Sequence, residues 1–425
     1  MPGRASAILG LVLAVLPGAS RAQEIRFTQI VSTSTSIPGG AGGQPATFEY
    51  FRSAVIDGDR VVFSGEGPGN FSGLFLSTGG ALQTIATSET PLPDGSGTFG
   101  RFFLMSIDGD TLAFMPGNVS GGSQGIFRSQ GESFVKIVDG STPVPGDSGL
   151  FTGLSEAVSV DDGRVLFHNW RSPSMAGLYI GDGSGIERFA DTLTPPPGRP
   201  TPLAHFASPL FDDGNAAFIG YEPDVTGGVY LATPSQTFQL AKQGDLAPGA
   251  PWRFLLFGEV SIDGTDVAFR GSSDFLQNNS GIYFWSGGAL TTIADHSTPV
   301  PGAPGRFDYF FTTSVSEGNV LFLARSADTW GLYVWSQGEL IKVIRRGDTL
   351  GGQQVHGVSI SPESFSGTRI VFQASTSAGW AVYVADLAPG DTAEIPTLSP
   401  AMLAFLVLGL AAAALVQLRR KGSLS

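Results

Sequence analysis

The chain has 425 residues, of which 14% are charged, with 24 Lys and Arg against 37 Asp and Glu and a net charge of −13. Arg4, Arg21, Arg419, Arg420 and Lys421 lie in terminal segments, so 19 cationic residues face all 37 acidic ones in the region between, a net of −18 that repels polyanions and excludes nucleic acid as a partner. There is no cysteine, so packing and closure of the fold, not disulfides, must carry stability.

In chain order, Arg4, the apolar run 7–16 and Ser20-Arg21-Ala22 describe a secretory signal peptide over residues 1–22, with cleavage leaving Gln23 first. Next comes a strand at residues 25–31, followed by Ile37-Pro38-Gly39 and Phe48. A phrase of apolar residue, spacer and phenylalanine then recurs at Phe63, Phe114, Phe167, Phe218, Phe269, Phe322 and Phe372, at intervals of 51, 53, 51, 51, 53 and 50 residues. A period of this length marks one supersecondary unit whose apolar faces are covered by neighbouring copies.

Each copy reads as four strands. In the fifth, residues 257–262 alternate as a strand, Asp263-Gly264-Thr265 turns, and Asp266-Val267-Ala268-Phe269 starts a second strand. Gly281-Ile282-Tyr283-Phe284-Trp285 is a third, Ser286-Gly287-Gly288 a hairpin turn, and residues 290–294 a fourth. Thr298-Pro299-Val300-Pro301 follows as a loop, because proline cannot donate to a ladder. Gly-x-aromatic opens the third strand in six copies, from Gly73-Leu74-Phe75 to Gly331-Leu332-Tyr333, and becomes Ala381-Val382-Tyr383 in the seventh.

Seven four-stranded copies predict an all-β, seven-bladed propeller over residues 23–387. The last copy lacks a fourth strand after Tyr383 and the N-terminus has one to spare, so residues 25–31 are expected to complete the seventh blade and close the ring. An open solenoid, which needs no such offset, ranks second.

Residues 388–394 read as a linker. Ile395-Pro396-Thr397-Leu398 then precedes residues 401–418, uncharged and mostly apolar, and the basic cluster Arg419-Arg420-Lys421, the pattern of a transmembrane helix with its cationic end in the cytoplasm. The order of motif, apolar helix and basic tail over residues 395–425 resembles the IPTL-CTERM protein-sorting signal of Gram-negative bacteria, although Pro400-Ala401-Met402 replaces the acidic and aromatic residues common there. That resemblance implies secretion machinery and an exosortase-like processing protease as partners, membrane attachment before processing, and release or anchoring at the cell surface. The repeats are also similar to those of exported bacterial tandem-repeat proteins, a group that implies no defined activity.

Candidate sites are weighed against the repeat. Gly146-Asp147-Ser148-Gly149 resembles the nucleophile segment of chymotrypsin-like proteases, but it occupies the proline loop, where Asp94-Gly95-Ser96-Gly97 stands in another copy, and reads as loop chemistry. Asp57-Gly58-Asp59 and its equivalents could share Ca²⁺, but Asp-Gly is also hairpin-turn chemistry and each copy lacks the further carboxylates of a full site. The histidines His168, His205, His296 and His356 show no metal-ligand spacing and are expected in loops, so no metal or other cofactor is assigned. The alternating Tyr283, Trp285, Tyr333 and Trp335 read as packing residues. The variable segments 64–72, 168–176, 271–280 and 324–330 are the expected contact face, and within them Trp170, Arg171, Asp274 and Trp330 have no role dictated by the repeat and are the ligand-contact candidates. The expectation is a surface or extracellular binding module for an unknown glycan or protein, without enzymatic activity. The alternative is a glycan-active enzyme with two carboxylates about 5–9 Å apart at the channel. No acidic pair unmatched by the repeat stands out in the sequence to serve it.

Overall fold

The structure, a computed structural model, describes residues 25–117, 124–130, 133–170, 176–275 and 278–387. The expected signal peptide, linker, sorting motif and apolar helix lie outside these residues. Among the described residues no helix is long and apolar enough to cross a membrane.

Residues 26–386 form one compact unit built from seven antiparallel sheets. In the first, Tyr50–Asp57, Arg60–Gly67, Phe71–Thr78 and Ala81–Thr87 are neighbours in sequence order, from the inner strand to the outer. Blades two to six repeat this order, with inner strands Arg101–Asp108, Leu154–Asp161, His205–Asp212, Leu256–Asp263 and Tyr309–Ser316. Successive inner strands touch, and the short inner segment Phe365–Ser366 of blade seven touches those of both blade six and blade one. The ring is closed.

Blade seven takes its outer strand from the other end of the chain. Ile25–Ser32 lies beside Gly379–Leu387, which pairs with Arg369–Thr376. Thr33 N donates to Trp380 O at 3.0 Å, the Tyr383 hydroxyl to Gln29 Oε1 at 3.1 Å, and Phe27 meets Phe372 edge-on at 6.1 Å. The sequence expectation of an N-terminal strand beside Trp380 and Tyr383 therefore holds.

The recurring phenylalanine is the inner half of a ring stack. Phe63 stacks on Phe75 at 5.6 Å, Phe167 on Tyr179 at 5.8 Å, Phe269 on Tyr283 at 5.7 Å and Phe372 on Tyr383 at 5.6 Å. The same stack occurs in the other three blades, and every one of these rings is buried. A third ring from the proline loop closes the box edge-on: Phe48 on Phe75, Phe151 on Tyr179 and Phe307 on Tyr333, each at 4.9 Å. The glycine two residues before the third-strand aromatic lies under that ring. A Cβ on Gly73 would stand 2.8 Å from Phe75 Cζ, and one on Gly281 2.7 Å from Ala294 O. Close approach, not turn geometry, explains the Gly-x-aromatic phrase.

Deleting residues 25–31 is expected to expose an unpaired edge on blade seven and lower the midpoint of a single thermal transition by roughly 5 °C or more. An unchanged melting curve would show that the strand is an appendage and not part of the ring.

Candidate functional site

The central channel is built by the inner strands, and at one end each blade is tied to the next. The inner strand ends in Asp or Ser, the following tight turn places a residue at positive φ, and a turn N–H is thereby aimed at the preceding blade. Gly109 N donates to Asp57 Oδ2, Asp162 N to Asp108 Oδ2 and Gly214 N to Asp161 Oδ2, all at 2.7 Å. Gly264 N donates to Asp212 Oδ2 and Glu317 N to Asp263 Oδ2, both at 2.5 Å. Gly367 N donates to Ser316 Oγ and Gly58 N to Ser366 Oγ, both at 2.9 Å, completing the circle. The repeated Asp is thus both a turn residue and a latch between blades. Burial pushes the carboxyls of Asp108 and Asp212 above their ordinary range, and neighbouring carboxylates of the ring push the same way against the latch hydrogen bonds.

Blade seven departs from the repeat inside the channel. Its inner strand pairs Ser359 with Gln373 and then Phe365 with Ile370, so it is three residues longer than its partner, whereas blade five has a single extra residue between Phe257 and Val260. The excess bulges across the axis. Ser361 Oγ donates to Ala54 O of blade one at 2.7 Å, and the Ser261 hydroxyl of blade five donates to Pro362 O at 3.1 Å. Ile56 N donates to Glu363 O at 3.1 Å, and the Ser159 hydroxyl of blade three reaches Glu363 Oε1 at 3.2 Å. Pro362 and Glu363 line cavities on both sides, a loop-side chamber of about 170 Å³ and a turn-side chamber of about 150 Å³.

Glu363 carries the most perturbed carboxyl of the channel. Burial pushes it up to about 8, against hydrogen bonds from Ser106, Ser159 and the Ile107 backbone and with help from the charge of Asp212. Although Glu363 as a residue is half-buried, because chambers flank it, its Oε2 is enclosed and has no hydrogen-bond partner. At neutral pH the group is largely a carboxylic acid. Glu259 lines the same loop-side chamber, and its Oε2 accepts from the Thr312 hydroxyl at 2.9 Å.

The loop-side rim carries two aromatic and guanidinium clusters. On blade six, Arg325 lies over the rings of Tyr309 at 5.3 Å and Trp330 at 5.9 Å, with Phe311, 48% exposed, edge-on to Trp330 at 6.4 Å. Asp308 fixes the guanidinium, accepting from Arg325 Nε at 2.7 Å. Across blades seven, one and two, Trp380 meets Tyr50 edge-on at 5.4 Å, while Arg52 lies 5.6 Å from the Tyr50 ring and 5.0 Å from that of Phe103. Glu66 fixes Arg52 Nε at 2.6 Å.

Residues 18–173 and 169–378 match, in two successive passes, a protein family described as a family of unknown function, DUF7453. The chain belongs to the DUF7453 family. No curated protein matches it. Among solved structures, this DUF7453 chain is similar to the β-propeller domain of the Trilobed protease from Pyrococcus furiosus, at 12% identity and TM-score 0.49 over 81% of this chain and 97% of that one. It is also similar to the polysaccharide lyase Uly1, at 11% identity and TM-score 0.46 over 86% of this chain and 99% of that one. With the Pyrococcus horikoshii acylaminoacyl peptidase the values are 14% and 0.47, over 79% of this chain and 51% of that longer one. The expectation of a chain without enzymatic activity does not stand: solved propellers of similar fold include peptidases, a lyase and a xyloglucanase, and a shared fold neither gives this chain an activity nor excludes one.

The DUF7453 ring distributes the residues singled out from sequence. Trp170 is exposed on blade three, and Arg171 lies outside the described residues. Asp274 organises the loop of blade five, its Oδ1 accepting from Asn278 N at 3.1 Å. Trp330 is half-buried within the blade-six cluster. Trp170, Asp274 and Trp330 sit on three different blades. Three of the histidines, expected in loops, stand in strands: His168, His205 and His356. Burial lowers His168 to about 4, so it packs as a neutral ring 5.8 Å from that of His205. Among the described residues no group of three or more His, Cys, Asp or Glu is spaced to hold a metal ion. Glu259, Glu363, Phe311 and Arg325 went unnoticed in the sequence. The signal for Glu259 was its departure from the repeat, since Ser53, Leu104, Ala157, Ser208 and Thr312 occupy its position in other blades.

Because the folded value of Glu363, about 8, lies above the ordinary 4.5, the folded chain holds this proton more tightly than the unfolded one. Its contribution to stability is whole below the lower value and is lost as pH rises through the upper. Glu363→Gln should melt with the parent near pH 4–5 and progressively above it towards pH 9, the gain bounded by ~5 kcal/mol. Parallel profiles across that window would show that the carboxyl is solvated.

Proposed function

We propose that this chain is an exported binding module that takes a glycan along the loop-side rim of its propeller. The observation that carries the reading is the pair of rim clusters, in which half-exposed aromatic rings stand beside guanidiniums fixed by Asp308 and Glu66. A sugar offers C–H faces for the rings and hydroxyls for the planar donors, and side chains already held in place lose little entropy on binding. Phe311, at 48% exposure, is not needed to fill the blade core, which supports a role on the surface. Export is supported by the signal-peptide pattern of residues 1–22 and by the IPTL-CTERM resemblance of residues 395–425. Before processing, the apolar segment 401–418 attaches the chain to the membrane, and an exosortase-like protease releases or re-anchors it at the cell surface.

A second reading has its own observation. Glu259 and Glu363 line one chamber, and Glu363, pushed up to about 8, holds a proton that an ionised neighbour cannot supply. A protonated carboxyl beside a second carboxyl is the minimum for acid-assisted cleavage of a glycosidic bond, with Glu363 as proton donor.

On a panel of immobilised polysaccharides, the purified propeller should be retained on at least one, and Phe311→Ala should weaken retention roughly 5- to 30-fold with the melting temperature nearly unchanged. Loss with Trp170→Ala but not with Phe311→Ala would move the site to blade three. Release of soluble oligosaccharide, abolished in Glu363→Gln, would decide for the second reading.

Intact-mass measurement of the native product from membrane or surface fractions is expected to show a chain beginning at Gln23. A full-length product in the cytosol would overturn the export assignment.

A further inference from the structure

The turn-side chamber has a chemistry unlike that of the rim. Asp57, Asp108, Asp212 and Asp263 line it together with Ser314, Ser316, Ser366 and Glu363. Asp161 belongs to the same latch ring. Each of these five aspartates accepts one latch hydrogen bond through Oδ2, and among the described residues none of them is in an ion pair. No Lys, Arg or His lines the chamber. Five half-buried carboxylates therefore face one another around an axis without a counter-charge.

Two further groups are incomplete in the same place, independently of the ring. Ser314 is 1% exposed, lines the chamber, and its Oγ has no hydrogen-bond partner. Glu363 Oε2, at the chamber floor, also lacks one. A buried hydroxyl left unpaired is costly, and a donor entering the chamber would satisfy Ser314 Oγ, which can accept it.

The geometry points to a binding site for an aliphatic polyammonium ion, of the diamine or polyamine class, in the turn-side mouth of the channel. A small metal ion fits poorly, because the carboxylates are spread around the ring and no three of the described acidic groups converge on one point. A chain bearing separated –NH₃⁺ and –NH₂⁺– groups matches separated acceptors: each nitrogen can donate to an aspartate oxygen beside its latch bond, and an end group can donate to Ser314 Oγ. The cation would also relieve the mutual repulsion that helps to hold the Asp108 and Asp212 carboxyls above their ordinary range.

Isothermal titration of the whole propeller with spermidine at pH 7 and moderate salt tests this, with CaCl₂ in a parallel arm. Expected is saturable binding of one spermidine per chain, no saturable Ca²⁺ binding, and at least a tenfold loss of spermidine affinity in Asp212→Asn. Asparagine keeps a side-chain oxygen for the latch, so that variant should melt with the parent. Should it fail to fold, Asp263→Asn and Ser314→Ala are the replacement variants, the first expected to weaken binding tenfold and the second severalfold. Absence of saturable binding to the parent, affinity unchanged in the folded variants, or saturation by Ca²⁺ in place of spermidine would each overturn the assignment.

Discussion

The backbone N–H groups of seven tight turns impose the constraint on which this ring depends. Each points away from its own blade, and each is satisfied by a side-chain oxygen of the preceding blade. Because the acceptor is always one blade back, the chain of bonds has no natural end except a circle. Ser106, Ser159 and Ser261 add a second tier, accepting from Val160, Phe211 and Val315 of the next blade at 2.8, 3.0 and 2.9 Å. The aromatic boxes make each blade coherent, and these polar contacts set how one blade is oriented to the next.

This arrangement gives the channel unlike ends. Five of the seven latches use a carboxylate, so the turn-side mouth accumulates negative charge as a by-product of blade docking. Among the described residues the opposite rim repeats no such bond from blade to blade around the ring, and there the blades differ. The bulge of blade seven separates the two ends by placing Pro362 and Glu363 between them. One insertion thus turns a continuous bore into two compartments of different polarity.

Most of the architecture was legible in the sequence because its causes are local and repeated. A phenylalanine every fifty-odd residues, a glycine two before the third-strand aromatic in six of the seven copies and a turn dipeptide at fixed offset each reflect one contact made again and again. The candidate sites were legible only in part: Trp330 and the repeated turn aspartates could be named, but the rest arises where copies differ. The bulge illustrates this. Val355 stands seven residues after Asp348 where Phe254 stands nine after Asp245, and Phe372 follows Val355 by 17 residues where Phe269 follows Phe254 by 15. A shortened loop cancels a lengthened strand, so the period stays intact while a carboxyl moves into the channel. The pairing of Arg325 with Trp330, or of Arg52 with Phe103 on the next blade, depends on side-chain directions that no periodicity encodes.

The outer strand of blade seven gives the fold a direction in time. Gln29 is made near the start of synthesis and meets Tyr383, 354 residues later, only when nearly the whole propeller exists. Until then Ile25–Ser32 is a lone strand with a free edge, the kind of segment that recruits foreign strands. Its sequence answers that hazard: Arg26, Thr28 and Gln29 interrupt the apolar residues, and half of the strand remains exposed even when paired. The last joint of the ring is therefore made by a strand with polar residues set among its apolar ones, a clasp that can wait in water without adhering to the wrong partner.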